Sequence, residues 1–433
     1  MTAAPRTLAE YTVPGMHITD RSLQVPLNQS QPGGEQLTVF FREVCAPTKR
    51  GDDLPLLVYL QGGPGGKSPR PIDTSGWLGV ALERYRVVLL DQRGTGRSSP
   101  IDHQVLAGRG DAAEQADYLS HFRADAIVAD AEAIRTRVYG GKRWATLGQS
   151  FGGFITCSYL SRAPEGLAAC YVTGGIPATR PSAAEVYRRT FPRVIARSRA
   201  YYRRFPGDID AVAAIADRLS AGDVRLPDGD LLSVRRFQAL GIDFGMGPGL
   251  TRLHWLVDEA FAASGRLSED FLQQVQIRSS QRGAPLFWSL QESIYGTPGQ
   301  ATGWAAEAEA ARHPELSADA RPLLFTGEMT FRWMFSEIAA LRPFADAVEL
   351  LARRTDWSEL YDPDRLASNE VPVAAAVYFD DMFVDSGLQL ETLAGVGNSQ
   401  AWVTNEWEHD GIGDQRVLRG LLQRVDNEGG ERR

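Results

Sequence analysis

Hydrophobic positions along the chain keep two different rhythms. Residues 37–44 alternate between apolar and polar and are rich in β-formers, while 55–60 and 86–90 are short apolar runs that end in glycine-rich or Asp-Gln-Arg-Gly turns. All three read as sheet strands. Between 124 and 138 the spacing changes to that of a helix, with Ile127, Val128, Ala131, Ile134 and Val138 on one face, and 144–147 then reads as a buried strand. A helical stretch at 154–160, closed by Ala163-Pro164, leads to a further strand at 168–172. Strands alternating with helices predict a mostly parallel sheet flanked by helices.

That rhythm stops near Pro177 and is replaced, from Pro181 to about Arg342, by an irregular helical pattern with many arginines and aromatics and with Gly-Pro punctuation around 245–249. It returns as a strand at 371–379, a helix at 386–394 and a strand at 400–404. The expected organisation is therefore a first core segment over 1–180, a helical cap over 181–342 and a second core segment over 343–433. A length of 433 residues suits one catalytic core with a large insertion. In the cap, Arg189, Arg193, Arg197, Arg199, Arg203 and Arg204 form a basic helical run, expected as a solvated face.

Composition narrows the class. A hydrophobic fraction of 43% and a charged fraction of 23% are those of a globular protein, and a net charge of -8 disfavours nucleic acid or an anionic membrane as partner. Cys45, Cys157 and Cys170 are odd in number and lack metal-site spacing, so neither a disulfide framework nor structural zinc is expected. No signal-peptide pattern opens the chain and no apolar run reaches the roughly 20 residues of a membrane span, so a cytoplasmic location is expected.

The candidate chemistry begins at Gly148-Gln149-Ser150-Phe151-Gly152, a G-x-S-x-G sequence placed between a strand and a helix. A serine in such a sharp turn needs small neighbours, and Gly148, Gly152 and Gly153 supply them. This arrangement predicts the α/β-hydrolase fold with Ser150 as nucleophile. A serine needs a base, and in this fold the order is serine, acid, histidine. His17, His103 and His121 precede Ser150, and His254 and His313 fall in the cap, which leaves His409, after the strand at 400–404. The acid should end the preceding strand, where Asp380 and Asp381 are nearly balanced and Asp385 is a third choice. Gly62 and Gly63, within Gln61-Gly62-Gly63-Pro64-Gly65-Gly66, and the amide of Phe151 are the expected oxyanion donors.

Taken together, Gly62-Gly63-Pro64-Gly65, Asp91-Gln92-Arg93-Gly94-Thr95-Gly96-Arg97-Ser98 and the Ser150 turn resemble the proline iminopeptidases (prolyl aminopeptidases) of the α/β-hydrolase serine peptidases, in their longer bacterial form. The resemblance implies release of an N-terminal proline from short peptides with a free N-terminus, without metal or organic cofactor. It favours Asp381, because the family places an Asp-Met pair at the acid position and Asp381-Met382 matches it, and it assigns the base to His409. Family members hold the substrate's α-amino group with carboxylates from the cap, which points to Glu328, and Trp333 and Phe335 are candidates for a slot around the pyrrolidine ring. The chain departs from shorter members in having Gln61 for His, Phe151 for Trp and no Arg in 172–176. Rival expectations are a tripeptidyl or other aminopeptidase, an esterase or lipase, and a binding protein without catalysis.

Overall fold

The computed structural model describes residues 4–180 and 182–432, so the expected cap boundary at Pro181 lies outside the described residues. Among the described residues, nine strands form one sheet in the order β1-β2-β3-β5-β4-β6-β7-β8-β9. They are β1 (Arg6–Val13), β2 (Met16–Pro26), β3 (Gln36–Cys45), β4 (Leu56–Leu60), β5 (Arg86–Leu90), β6 (Trp144–Gln149), β7 (Leu167–Thr173), β8 (Val373–Tyr378) and β9 (Ser399–Thr404). The first three pair antiparallel, β3 pairs antiparallel with β5, and every pairing from β5 through β9 is parallel. This is an α/β-hydrolase fold.

Alternation along the central strands divides their side chains between two cores. Leu56, Val58, Leu60, Val88 and Leu90 enter one apolar cluster, and Leu57, Tyr59, Val87 and Leu89 enter the other, so both faces are covered. Helices Ala124–Val138 and Phe151–Arg162 contribute Ile127, Ile134 and Phe154 to the first cluster, and helix Gln415–Asn427 contributes Val417 and Leu421 to the second.

Strands β1 and β2 and helix Gln415–Asn427 add to the pattern expected from sequence. The eight residues of β1 lie on the edge with all but Val13 exposed, so no apolar period marks them. In β2 the core side is partly polar: Asp20 is buried because Arg42 Nε and Arg97 Nη1 donate to its two oxygens at 2.8 and 2.9 Å.

Between β7 and β8 the described residues carry no sheet strand. Helix Ala183–Arg204 opens this region, and its Phe191 and Val194 share an apolar cluster with Phe325, Met382 and Phe154, so this region and the sheet bury one continuous core. The arginine run on that helix is more than a solvated face. Arg193 Nε meets Asp385 at 2.7 Å, and Arg197 pairs with Glu408, so two of its members fasten this region to the loops after β8 and β9. Among the described residues, no helix is long and apolar enough to cross a membrane.

Candidate active site

Sheet order places the site. The chain runs from β4 outward to β5 and returns to put β6 on the other side of β4, so loops leaving the carboxyl ends of β4 and β6 diverge and leave a crevice. Gln61-Gly62-Gly63 leaves β4, Ser150 leaves β6, Gly174-Gly175 leaves β7, Asp381 follows β8 and His409 follows β9.

Ser150 occupies φ 55°, ψ −125°, a conformation that a residue with a side chain rarely adopts. The surroundings hold it there. Its N–H donates to the carbonyl of Thr173 at 3.0 Å and its carbonyl accepts from Gly153 at 2.7 Å. A Cβ on Gly152 would stand 1.9 Å from the Leu60 carbonyl oxygen, and one on Gly153 2.2 Å from that of Gly175. Helix Phe151–Arg162 starts at the serine, so its free amides and positive dipole end face the crevice.

His409 Nδ1 lies 2.7 Å from Asp381 Oδ2, and Asp381 Oδ1 accepts from the amides of Phe383 and Val384 at 2.8 and 3.1 Å. With the carboxylate as acceptor, Nδ1 carries the proton and Nε2 is free to act as a base. Burial disfavours the imidazolium, but the Asp381 charge and hydrogen bond, with Glu328 and Asp410 adding to them, hold His409 above its ordinary pKa. Asp380 is exposed, whereas Asp385 accepts from Leu388 N at the start of helix Ser386–Leu393 and takes Arg193. Of the three carboxylates it is Asp381 that meets the imidazole.

Ser150 and His409 both adjoin the Gly174-Gly175 step. A Cβ on Gly174 would come within 3.2 Å of His409 Nδ1, and one on Gly175 within 2.1 Å of the Ser150 carbonyl oxygen. There is thus no room for a side chain at Gly175, and at Gly174 the tight contacts and a φ of 54° disfavour one, which suits the lack of an arginine at this step. Gly62 approaches from the other side, where a Cβ would stand 2.9 Å from Ser150 Cβ. Ser150, Asp381 and His409 are respectively 6%, 2% and 2% exposed, so the crevice is roofed.

The roof is rich in acceptors. Glu328 lies close enough to His409 and Asp381 for their charges to act on it, and burial pushes its carboxyl up to about 7, with Asp381 pushing the same way and His409 and a Gln291 hydrogen bond opposing. Glu292 escaped the sequence reading. It is buried, its Oε1 accepts from Ala306 N at 2.9 Å, its Oε2 has no partner, and burial pushes it to about 7 against the hydrogen bonds from Ala306, Ala305, Thr302 and Trp304. Both charges reach the hydroxyls of Tyr187 and Tyr295. The Gln291 Oε1 and the Tyr187 hydroxyl also lack partners. A sequence signal for Glu292 existed: it is a lone carboxylate in the apolar and aromatic stretch 286–295. Trp333 stacks on Phe331 with Arg235 over its ring, and Phe335 is buried edge-on to Trp304, so these partners all come from the region between β7 and β8.

Residues 55–213 match the alpha/beta hydrolase fold family. The chain is 45% identical to a proline iminopeptidase of Aeromonas sobria over 417 residues, 95% of this chain and 97% of that one. It belongs to the proline iminopeptidase family. A second family member, from Aspergillus aculeatus, is 36% identical over 90% of this chain and 89% of its own. The solved proline iminopeptidase of Mycobacterium smegmatis aligns over 94% of this chain and 98% of that one, at 14% identity and a TM-score of 0.43.

Proposed function

We propose that the protein is a serine exopeptidase that releases an N-terminal residue, preferably proline, from short peptides in the cytoplasm, with residues 181–342 as the cap over its site. The observation that carries this reading is the acceptor-rich roof beside an Asp381–His409 pair. Glu292 Oε2 and Gln291 Oε1 are buried acceptors without partners, the Glu328 carboxyl is pushed up beside them, and a secondary ammonium brings two N–H donors and the opposite charge. An internal peptide nitrogen brings no charge and one donor at most, so it leaves the carboxylates unpaired.

In this mechanism Glu328 and Glu292 hold the substrate's ammonium, which sets its first carbonyl at Ser150. His409 Nε2 takes the Ser150 hydroxyl proton as Oγ attacks that carbonyl carbon, and Asp381 stabilises the imidazolium. The developing oxyanion is held by the Phe151 amide and an amide of the Gly62-Gly63 turn. The imidazolium then gives its proton to the leaving amine, which departs as the shortened peptide. Water, deprotonated by His409, attacks the acyl-enzyme and frees the amino acid. Phe383, edge-on to His409 at 4.9 Å, suits the wall of a pyrrolidine slot better than Trp333 or Phe335 does. Three free buried thiols suit a reducing compartment.

The decisive test is turnover of a proline arylamide by Ser150→Ala, expected to fall by about 10⁶-fold with the fold retained. An N-acetylated proline arylamide should not be cleaved by the native protein. Unchanged turnover in the variant rejects the nucleophile, and cleavage of the blocked substrate rejects the ammonium anchor.

A further inference from the structure

The loop that passes Ser150 at Gly62, and that carries the proposed oxyanion amides of Gly62 and Gly63, has four glycines in six residues, so it has few side chains with which to lock its own backbone. It is fastened from outside, at both ends, by two consecutive residues leaving β5. At the entrance Gln92 Nε2 donates to the carbonyl of Gln61 at 2.7 Å. At the exit Asp91 Oδ1 accepts from Ser68 N at 3.1 Å and Ser68 Oγ at 2.9 Å. Asp91 is itself fixed by Arg70 Nη1 and Nη2 at 2.7 and 2.6 Å and by Arg97 N at 2.9 Å. The Gln92 backbone is fixed too, since its carbonyl accepts from Thr95 N at 3.0 Å and Thr95 Oγ1 at 2.7 Å. Asp91, Gln92 and Ser68 are all buried.

We infer that Gln92 is a positioning residue for the oxyanion hole, setting the Gly62-Gly63 amides through the Gln61 carbonyl. A peptide unit is planar and trans, so its C=O and N–H point opposite ways. Holding the Gln61 oxygen toward Gln92 fixes the direction of the Gly62 N–H and the plane from which the turn to Gly63 begins. Gly62 runs so close to Ser150 that a rotated peptide plane there moves a donor relative to the reacting carbon. The Gln92 Oε1 is buried without a partner, so what this side chain contributes to the loop is its donor. An oxyanion donor acts only on the charge developing in the transition state, so its misplacement lowers kcat and leaves ground-state binding alone.

This inference rests on the serine mechanism proposed above. Its test is Gln92→Met, which keeps the length of the side chain and removes the donor. The variant should lose about tenfold to a hundredfold in kcat on a proline arylamide, less than loss of a donor itself, with KM within about twofold. A fluorophosphonate should still label Ser150 to completion, at a rate reduced by a similar factor, because phosphonylation builds charge in the same hole. Should Gln92→Met not fold, Gln92→Asn, polar but one methylene too short to reach the Gln61 carbonyl, is read the same way. A kcat within twofold of the native protein, or a loss carried by KM, overturns the assignment. Absence of labelling in the native protein instead overturns the serine mechanism itself, so the two failures are distinguishable.

Discussion

The floor and the roof of the site are built on opposite principles. On the floor, at the sheet's carboxyl edge, the proposed catalytic groups are held by the protein itself: Asp381 accepts two amides and His409, and the backbone of the strained Ser150 is held by Thr173 and Gly153. In the roof, Glu292, Gln291 and Tyr187 keep buried polar atoms without partners, and two carboxyls are pushed to about 7. A satisfied network fixes geometry in advance of the substrate, whereas an unsatisfied one gains from the substrate's arrival. In the proposed mechanism, chemistry is thus preorganised below and recognition is stored above as unmet hydrogen bonding.

The largest expected effect lies on the floor. Asp381→Asn keeps the shape but makes the acid side chain present an N–H to His409 or lose its charge, and kcat on a proline arylamide should fall by about 10⁴-fold. A smaller change at this position would mean that the dyad is not the working base. In the roof, Glu328→Gln should lower kcat/KM for the same substrate by about a hundredfold, the scale for removing one partner of a buried charge pair, and leave hydrolysis of an activated ester lacking an amine nearly unchanged. Equal loss on both substrates assigns Glu328 to the chemistry; no loss on either removes it from the site.

Stability should respond in the other direction. The folded Glu292 carboxyl holds its proton to about 7, against 4.5 for the ordinary value, so the stability contributed by its protonated form is complete below pH 4.5 and is lost as pH rises through 7. Glu292→Gln cannot ionise. It should raise stability at pH 8 by no more than about 3 kcal/mol, from roughly 2.5 pKa units, while changing little at pH 4 and impairing peptide turnover. Denaturant melts at the two pH values check this, and a variant less stable at pH 8 would show that Glu292 is structural. The smallest effect belongs to the seam between floor and roof. Arg197→Ala breaks a partly exposed pair with Glu408, next to His409, and melts should register about 1 kcal/mol or less.

How much of this was legible before folding follows from how local each signal is. The turn at Ser150 was visible because strand, glycines and helix are contiguous in sequence, and His409 could be reached by its order after the last strand. Adjacent Asp380 and Asp381 carry the same chemistry, and spacing left them balanced until the Asp-Met resemblance was added; which carboxylate meets His409 is a question of side-chain direction. Strand β1 left no trace because an exposed edge has no apolar period, and β2 hid its core side behind the buried Asp20 and its two arginines.

The alternating strands and helices, the glycine-rich turn at Ser150 and the family were all legible along the chain, since each is written in neighbouring residues or in motifs of fixed order. Packing alone put Glu292 and Glu328 within reach of the same tyrosines, tied Arg193 and Arg197 to Asp385 and Glu408, and brought Gln92 to the Gln61 carbonyl. Those are meetings between segments 31 to more than 200 residues apart. Burial and hydrogen-bond satisfaction belong to the packed whole, so no local pattern records them.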